Sequence, residues 1–270
     1  MQVHVSTFWT PKRGSTQQEF EDAIWVGPDG SSDGEIQLET LTVAIADGAS
    51  ESMLAGRWAR SLVASFGTTP DASAGTDGFL AAYQTAVMGW DQQLSFYLAD
   101  RAARGSPLHW YEEPGLGRGA SATVATMQLR GAEQDIGARW TASGLGDSCI
   151  FQVRDEAIVL SFPIADASEF SYQPPLLCSR GIDQEVVRTH LCLCGGEWVA
   201  GDTFYLATDA LAAWFLTSVA DGRRPWEPLR DLDTVDADSD FPDWVNERRD
   251  NHEMSDDDTT LIRIDAIRED

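Results

Sequence analysis

Acidic residues stand at the starts or ends of apolar runs in four separate parts of the chain. Leu41, Val43 and Ile45 alternate with smaller residues and run into Asp47-Gly48. Residues 203–208 run into Asp209, Asp256-Asp257-Asp258 open the run 259–264, and Glu21-Asp22 stand near the start of the run 20–26. A strand that stops on a carboxylate delivers it to a sheet edge, where a cation or a phosphate can approach. A glycine just after it lets the backbone come close to a ligand. Hard oxygen donors of this kind suit Mg²⁺ or Mn²⁺. If the four places meet, their mutual repulsion calls for a cation between them. Asp-Gly is equally a common turn, and acids at element ends also cap helices. The spacing alone leaves both readings open.

The elements that must carry these acids follow from hydrophobic period. Residues 2–9 alternate as an opening strand, and 20–26 and 41–46 read as further strands. From Ser52 the period changes. Leu54, Trp58, Leu62 and Phe66 fall four apart, and Phe79, Tyr83, Val87, Trp90, Leu94 and Tyr97 make a second such face. These are two amphipathic helices whose aromatic stripes belong to the core. Residues 105–118 read as a loop. Strands return at 120–129, 138–143, 149–153 and 157–162 as an antiparallel meander, with Gly144–Ser148 as a tight turn. Residues 163–200 show no sustained period and read as a long surface segment. A strand ending at Asp209, a helix after it, a short helix around 244–250 and a closing strand complete the chain. With no repeat and no linker, one domain over 1–270 is the expectation.

Composition bounds the partners. The chain has 270 residues, 43% hydrophobic, with 19 basic against 44 acidic residues and a formal charge of −25. Nucleic acid and anionic membrane both need a positive footprint, so neither is an expected partner, whereas divalent cations are. No apolar run approaches the ~18 residues of a membrane span. Cys149, Cys178, Cys192 and Cys194 fit no zinc spacing and read as buried thiols in a reducing, cytoplasmic protein.

Six short motifs in order carry a resemblance: Glu21-Asp22, Ala46-Asp47-Gly48, 119–123 (GASAT), Gly146-Asp147-Ser148, Ala207-Thr208-Asp209 and 256–260 (DDDTT). Together they resemble the metal-dependent protein phosphatases, the protein phosphatase 2C-like group of serine/threonine phosphatases, from about residue 3 to residue 264. The resemblance implies an α+β fold, a four-layer αββα sandwich of two antiparallel sheets flanked by helix pairs. It implies two Mg²⁺ or Mn²⁺ ions, with Asp47 bridging both, Gly48 offering its carbonyl, Asp209 and Asp257 holding the other, and Glu21 and Asp22 completing the shell. Asp147 resembles the residue that helps to bind a third, weaker ion. The implied catalytic set is Asp47, Asp209 and Asp257. The implied reaction is hydrolysis of phosphoserine or phosphothreonine in proteins by a metal-activated water, with a protein kinase as a further partner. Residues 163–200 match the flap that governs substrate choice.

The pattern is also broken in places. Asp-Gly continues as Ala49-Ser50-Glu51, without the histidine often found there. The arginine that grips phosphate usually lies five residues before the Asp of the Glu-Asp pair, and Gln17 occupies that position. Arg13, or Lys12 beside it, is the expected substitute. Ala210 replaces the usual glycine after the third Asp, and Cys149 the usual arginine after Gly-Asp-Ser. These departures leave a second reading, a module of the same fold that binds metal and a phosphoprotein without turnover.

Overall fold

The computed structural model describes residues 1–28, 30, 34–132, 137–232 and 237–267. In chain order the first strands are β1 (Gln2–Thr10), β2 (Ala23–Val26), β3 (Gly34–Gln37) and β4 (Thr40–Ala46). Helices α1 (Ala55–Thr68), α2 (Thr76–Ala103) and α3 (Glu113–Arg118) follow. The meander is β5 (Ser121–Ala122), β6 (Val124–Arg130), β7 (Arg139–Leu145), β8 (Cys149–Arg154) and β9 (Ala157–Phe162). Then come β10 (Leu177–Cys178), α4 (Gln184–His190), β11 (Cys192–Glu197) and β12 (Thr203–Ala207). The chain closes with α5 (Asp209–Ala220), α6 (Trp226–Asp231), α7 (Ala237–Asp250) and β13 (Thr259–Ala266).

The strands form two large antiparallel sheets, in the orders β3-β1-β13-β12-β8-β9 and β11-β7-β6-β4-β2. Alternation explains how they stack. Leu41, Val43 and Ile45 of β4, with Met127 and Leu129 of the adjacent β6, face Phe204, Leu206, Ile262 and Ile264 of the other sheet in a closed layer. The opposite face of the five-stranded sheet is covered by Trp58, Leu62 and Phe66 of α1 and by Phe79, Tyr83 and Trp90 of α2. Leu211, Trp214, Phe215, Leu229, Phe241 and Val245 of α5–α7 cover the outer face of the other sheet. The result is the expected α+β sandwich of four layers.

Four sequence expectations change. Residues 105–118, read as a loop, contain the short helix α3. The apolar stripe of α2 is buried only as far as Trp90. Beyond it Leu94 and Tyr97 are half-covered and Phe96 is exposed, because the helix outruns the sheet it packs on. Residues 163–200 are more ordered than a bare surface segment, since they contain α4 and the strand β11. Of the cysteines only Cys149 is buried. Cys192 is exposed and Cys194 half-buried because β11 lies at a sheet edge, and all four are free thiols. No described helix is long and apolar enough to cross a membrane.

Candidate metal centre

Strand register brings the four acidic places to one end of the sandwich. Ala23 pairs with Ala46, so Glu21-Asp22 and Asp47 leave adjacent strands side by side. Ala207 pairs with both Leu261 and Cys149, so Asp209, Asp257 and Asp147 emerge beside one another from the other sheet. Asp147 sits in the turn that carries the chain from β7 in one sheet to β8 in the other. Asp47, Gly48, Asp147, Asp209 and Asp257 all line one cleft of about 800 Å³.

Each acid is held differently. Asp22 is buried, and its Oδ2 accepts from Thr208 Oγ1 at 3.0 Å and Thr260 Oγ1 at 2.7 Å. Among the described residues its Oδ1 has no hydrogen-bond partner, and neither does the buried Oδ1 of Asp147. Thr123 N donates to the Asp47 carbonyl at 2.9 Å, and Gly48 bridges to Ala122, which clamps the Asp47-Gly48 turn to the start of β6. A Cβ on Gly48 would stand 2.8 Å from both the Glu21 carbonyl oxygen and the Ala55 carbonyl carbon, so only glycine fits. Asp209 begins α5 and accepts from the Ala210 amide.

Asp258 is a positioning residue that spacing did not separate from its neighbours. Its two oxygens accept from Lys12 N at 2.8 Å and Glu21 N at 2.7 Å, pinning two loops at once. Arg249, which sequence gave no reason to choose, is buried behind the same turn. It donates to the Pro11 carbonyl at 3.1 Å, to the Asp257 carbonyl and to Thr259 Oγ1 at 3.0 Å. Thr208 and Thr260 could have been chosen in advance, since Thr208 stands one residue from Asp209 and Thr260 two from Asp258, each at the end of an apolar strand.

Crowding shows in the ionisation of the acids. Burial, reinforced by Asp258 and Asp209, holds the Asp22 carboxyl well above the ordinary carboxylate range. Burial does the same for Asp47, with Asp22, Asp209, Asp147 and Asp257 adding to it. Asp209 is pushed up to about 7 by burial and then by Asp147 and Asp257, and Asp147 to about 6, mainly by burial. A set of carboxylates that repel one another this strongly favours bound cations. Among the described residues, however, no three Asp, Glu, His or Cys side chains close into an ion cage.

Two expected residues are engaged elsewhere. Arg13 does not reach the cleft. Its amide donates to Asp256 Oδ1 at 3.0 Å, and its guanidinium turns to the Asn246 carbonyl and pairs with Asp250 of α7. Glu21 does lie beside Asp47, but its Oε2 is taken by Lys12 Nζ at 2.9 Å and by the Ser50 hydroxyl. The same ammonium donates to Ser50 Oγ at 2.7 Å and stands 3.9 Å from Asp257.

No family model matches the sequence, and no curated protein does. Solved structures do. The Mycobacterium tuberculosis serine/threonine phosphatase PstP/Ppp superposes with a TM-score of 0.57 at 15% identity, over 99% of this chain and 100% of that one. The chain has the protein phosphatase 2C-like fold. The catalytic domain of PstP in complex with two manganese ions gives a TM-score of 0.55 at 15% identity, covering 99% and 100% of the two chains. RsbX in complex with magnesium gives 0.51 at 14% identity, covering 97% and 94%. Within the protein phosphatase 2C-like fold, the cleft described above lies where the two sheets of the sandwich open to solvent.

Proposed function

We propose that this protein is a metal-dependent serine/threonine phosphatase acting on phosphoproteins. The observation that carries the reading is the convergence of Asp47, Asp147, Asp209 and Asp257 on one cleft, with the buried Oδ1 of Asp147, and that of Asp22 behind the cleft, left without partners among the described residues. These residues suit Mg²⁺ or Mn²⁺: the donors are all oxygen, two buried carboxylate oxygens have no hydrogen-bond partner among the described residues, and Gly48 lines the same cleft as Asp47. Asp47, the Gly48 carbonyl, Asp209 and Asp257 would hold two ions, with Asp22 and Glu21 around them and Asp147 toward a third. When bound, such ions supply hydroxide at neutral pH and offset the charge of the phosphate.

The chain's own residues do the rest. Thr208 and Thr260 fix the rotamer of Asp22, and Asp258 holds the loops of Lys12 and Glu21 at a set distance from β4. The strands deliver the carboxylates already oriented, so little ordering remains when a phosphoester enters. Tyr172, Gln173 and Pro174 form the cleft's outer lip, which supports a role for the 163–200 segment in substrate choice. A single domain over 1–270, a protein kinase as a partner and a cytoplasmic location belong to the same proposal.

One observation favours the second reading, a module that binds without turnover. The Lys12 ammonium already neutralises Glu21, so this side of the centre has an internal cation. Hydrolysis of p-nitrophenyl phosphate separates the two readings. The expected result is manganese-dependent turnover reduced at least 10²-fold by Asp47→Asn or Asp209→Asn, the order of loss when a catalytic electrostatic group is removed. Tight manganese binding without turnover in the wild type would establish the module instead.

A further inference from the structure

We infer that Arg118, at the end of α3 in the lining of the cleft, is the residue that grips the substrate's phosphate, and not Arg13 or Lys12, which do not line it. This assignment rests on the phosphatase reading above. Among the described residues that line the cleft, five are acidic (Asp47, Glu51, Asp147, Asp209 and Asp257) and Arg118 is the one cation. A phosphoester entering such a cleft meets repulsion from every charged side chain but this one.

The other nearby cations are committed. Lys12 is bonded to Glu21 and Ser50, Arg13 to Asp250, and Arg180 to Asp91 at 3.1 Å. The Arg118 guanidinium has no ion pair or hydrogen bond with any described residue, although acids stand around the same cleft. It is exposed, so its five donors are hydrated and free to exchange water for phosphate oxygens. The planar fork of arginine matches two phosphate oxygens at once, which a lysine ammonium does not.

The backbone that carries it is firmly held, although the side chain is free. Leu116 is buried, and its carbonyl accepts from Arg180 at 3.3 Å and from the Gly119 amide at 3.2 Å. Gly119 has φ +86°, and a Cβ there would strike Arg180 Cγ at 2.5 Å, so the turn after Arg118 is fixed by glycine. Ala120 N then donates to Ser179 Oγ at 2.9 Å, and Ala122 bridges to Gly48. Four residues of taut backbone therefore connect Arg118 to the turn that presents Asp47. That short link keeps the guanidinium and the acidic floor of the cleft in one rigid frame.

The test uses wild-type, Arg118→Lys and Arg118→Gln proteins loaded with manganese. Each is titrated with inorganic phosphate and with a phosphothreonine peptide by calorimetry, and each is assayed for peptide turnover. Manganese affinity is measured separately without phosphate. The expected result is ~10–100-fold weaker binding of both probes by Arg118→Gln, the range for a lost charge-assisted hydrogen-bond pair. Arg118→Lys recovers part of that loss, and manganese affinity stays within about twofold. Equal phosphate binding by wild type and Arg118→Gln overturns the assignment. So does a parallel loss of manganese affinity, which would make Arg118 structural, and so does a wild type that binds neither probe. Weakened binding in Arg118→Gln with no turnover by the wild type sustains Arg118 as the anion site and removes the enzymatic reading. Wild-type turnover with unchanged phosphate binding in Arg118→Gln does the reverse.

Discussion

Asp209 and Asp147 make the metal-free protein sensitive to pH in an unusual direction. Their carboxyls titrate near 7 and 6 in the folded chain, against ~3.9 for an unfolded aspartate. Between those limits the folded state binds more protons than the unfolded one, so stability falls as pH rises. The melting temperature of EDTA-treated protein should therefore drop from about pH 5.5 to pH 8, and saturating Mn²⁺ or Mg²⁺ should flatten that slope. Asp209→Asn should remove part of the slope without metal. A metal-free melting temperature that is constant, or that rises, over this range would remove the argument from crowded carboxylates. Lys12 works on the same balance from the other side. Its ammonium is an internal counter-ion for Glu21 and, at 3.9 Å, for Asp257. Lys12→Gln should lower the metal-free melting temperature and tighten manganese binding roughly 2–5-fold, as befits a few tenths to about 1 kcal/mol from a partly exposed ion pair. Weaker manganese binding in that variant would mean that Lys12 orders the ligands and does not compete with the ion.

At the scale of elements, the turn between α7 and β13 depends on one buried cation. Arg249 reaches from α7 to the carbonyls of Pro11 and Asp257 and to Thr259 Oγ1, tying both sides of the Asp256–Asp258 turn to one helix. Arg249→Met removes hydrogen bonds to four acceptors, Asn246 Oδ1 included, although the Asp257 carbonyl keeps its bond from Thr259 Oγ1, and the loss costs about 2–4 kcal/mol. The expected signature is a lower melting temperature together with faster amide exchange over 256–259, with the sheet core unchanged. Exchange that stays slow in this turn would show that the strand alone holds Asp257 in place. The contrast between Arg249 and Asp257 also shows what sequence conveys. Acids at strand ends were legible because β4, β12 and β13 have clear apolar periods, and register then dictates where their ends meet. The same periodicity revealed α1 and the first half of α2. Arg249 was not legible, because its role comes from partners up to 238 residues away in the chain. Arg13 misled for a related reason: its loop lies near the cleft, but a bond from its own amide to Asp256 turns the side chain toward α7. The edge position of β11, and so the exposure of Cys192, likewise follows from sheet order, which local pattern does not encode.

Across the whole molecule, the charge of −25 would, on the proposed phosphatase reading, set which phosphoproteins can approach. The field of such a surface extends about one Debye length, ~8 Å at physiological ionic strength, and falls off steeply with added salt. On the proposed reading, bound cations and Arg118 would dominate near the cleft floor, whereas beyond that distance the acidic surface does. A phosphopeptide with lysine or arginine on both sides of its phosphothreonine is drawn toward the protein, and one flanked by glutamate is repelled. The kcat/KM for a basic peptide should therefore exceed that for an acidic peptide of equal length by about 10-fold or more at low salt. Raising the salt from ~20 mM to ~500 mM should bring the two together, lowering the first and raising the second, because screening acts on encounter and leaves the chemistry unchanged. The turnover number at saturation should move little in either case. Parallel salt curves for the two peptides would place substrate choice within the cleft itself, with Tyr172 and its neighbours on the lip as the residues to examine. Opposed curves would mean that selection begins before contact, through the net charge.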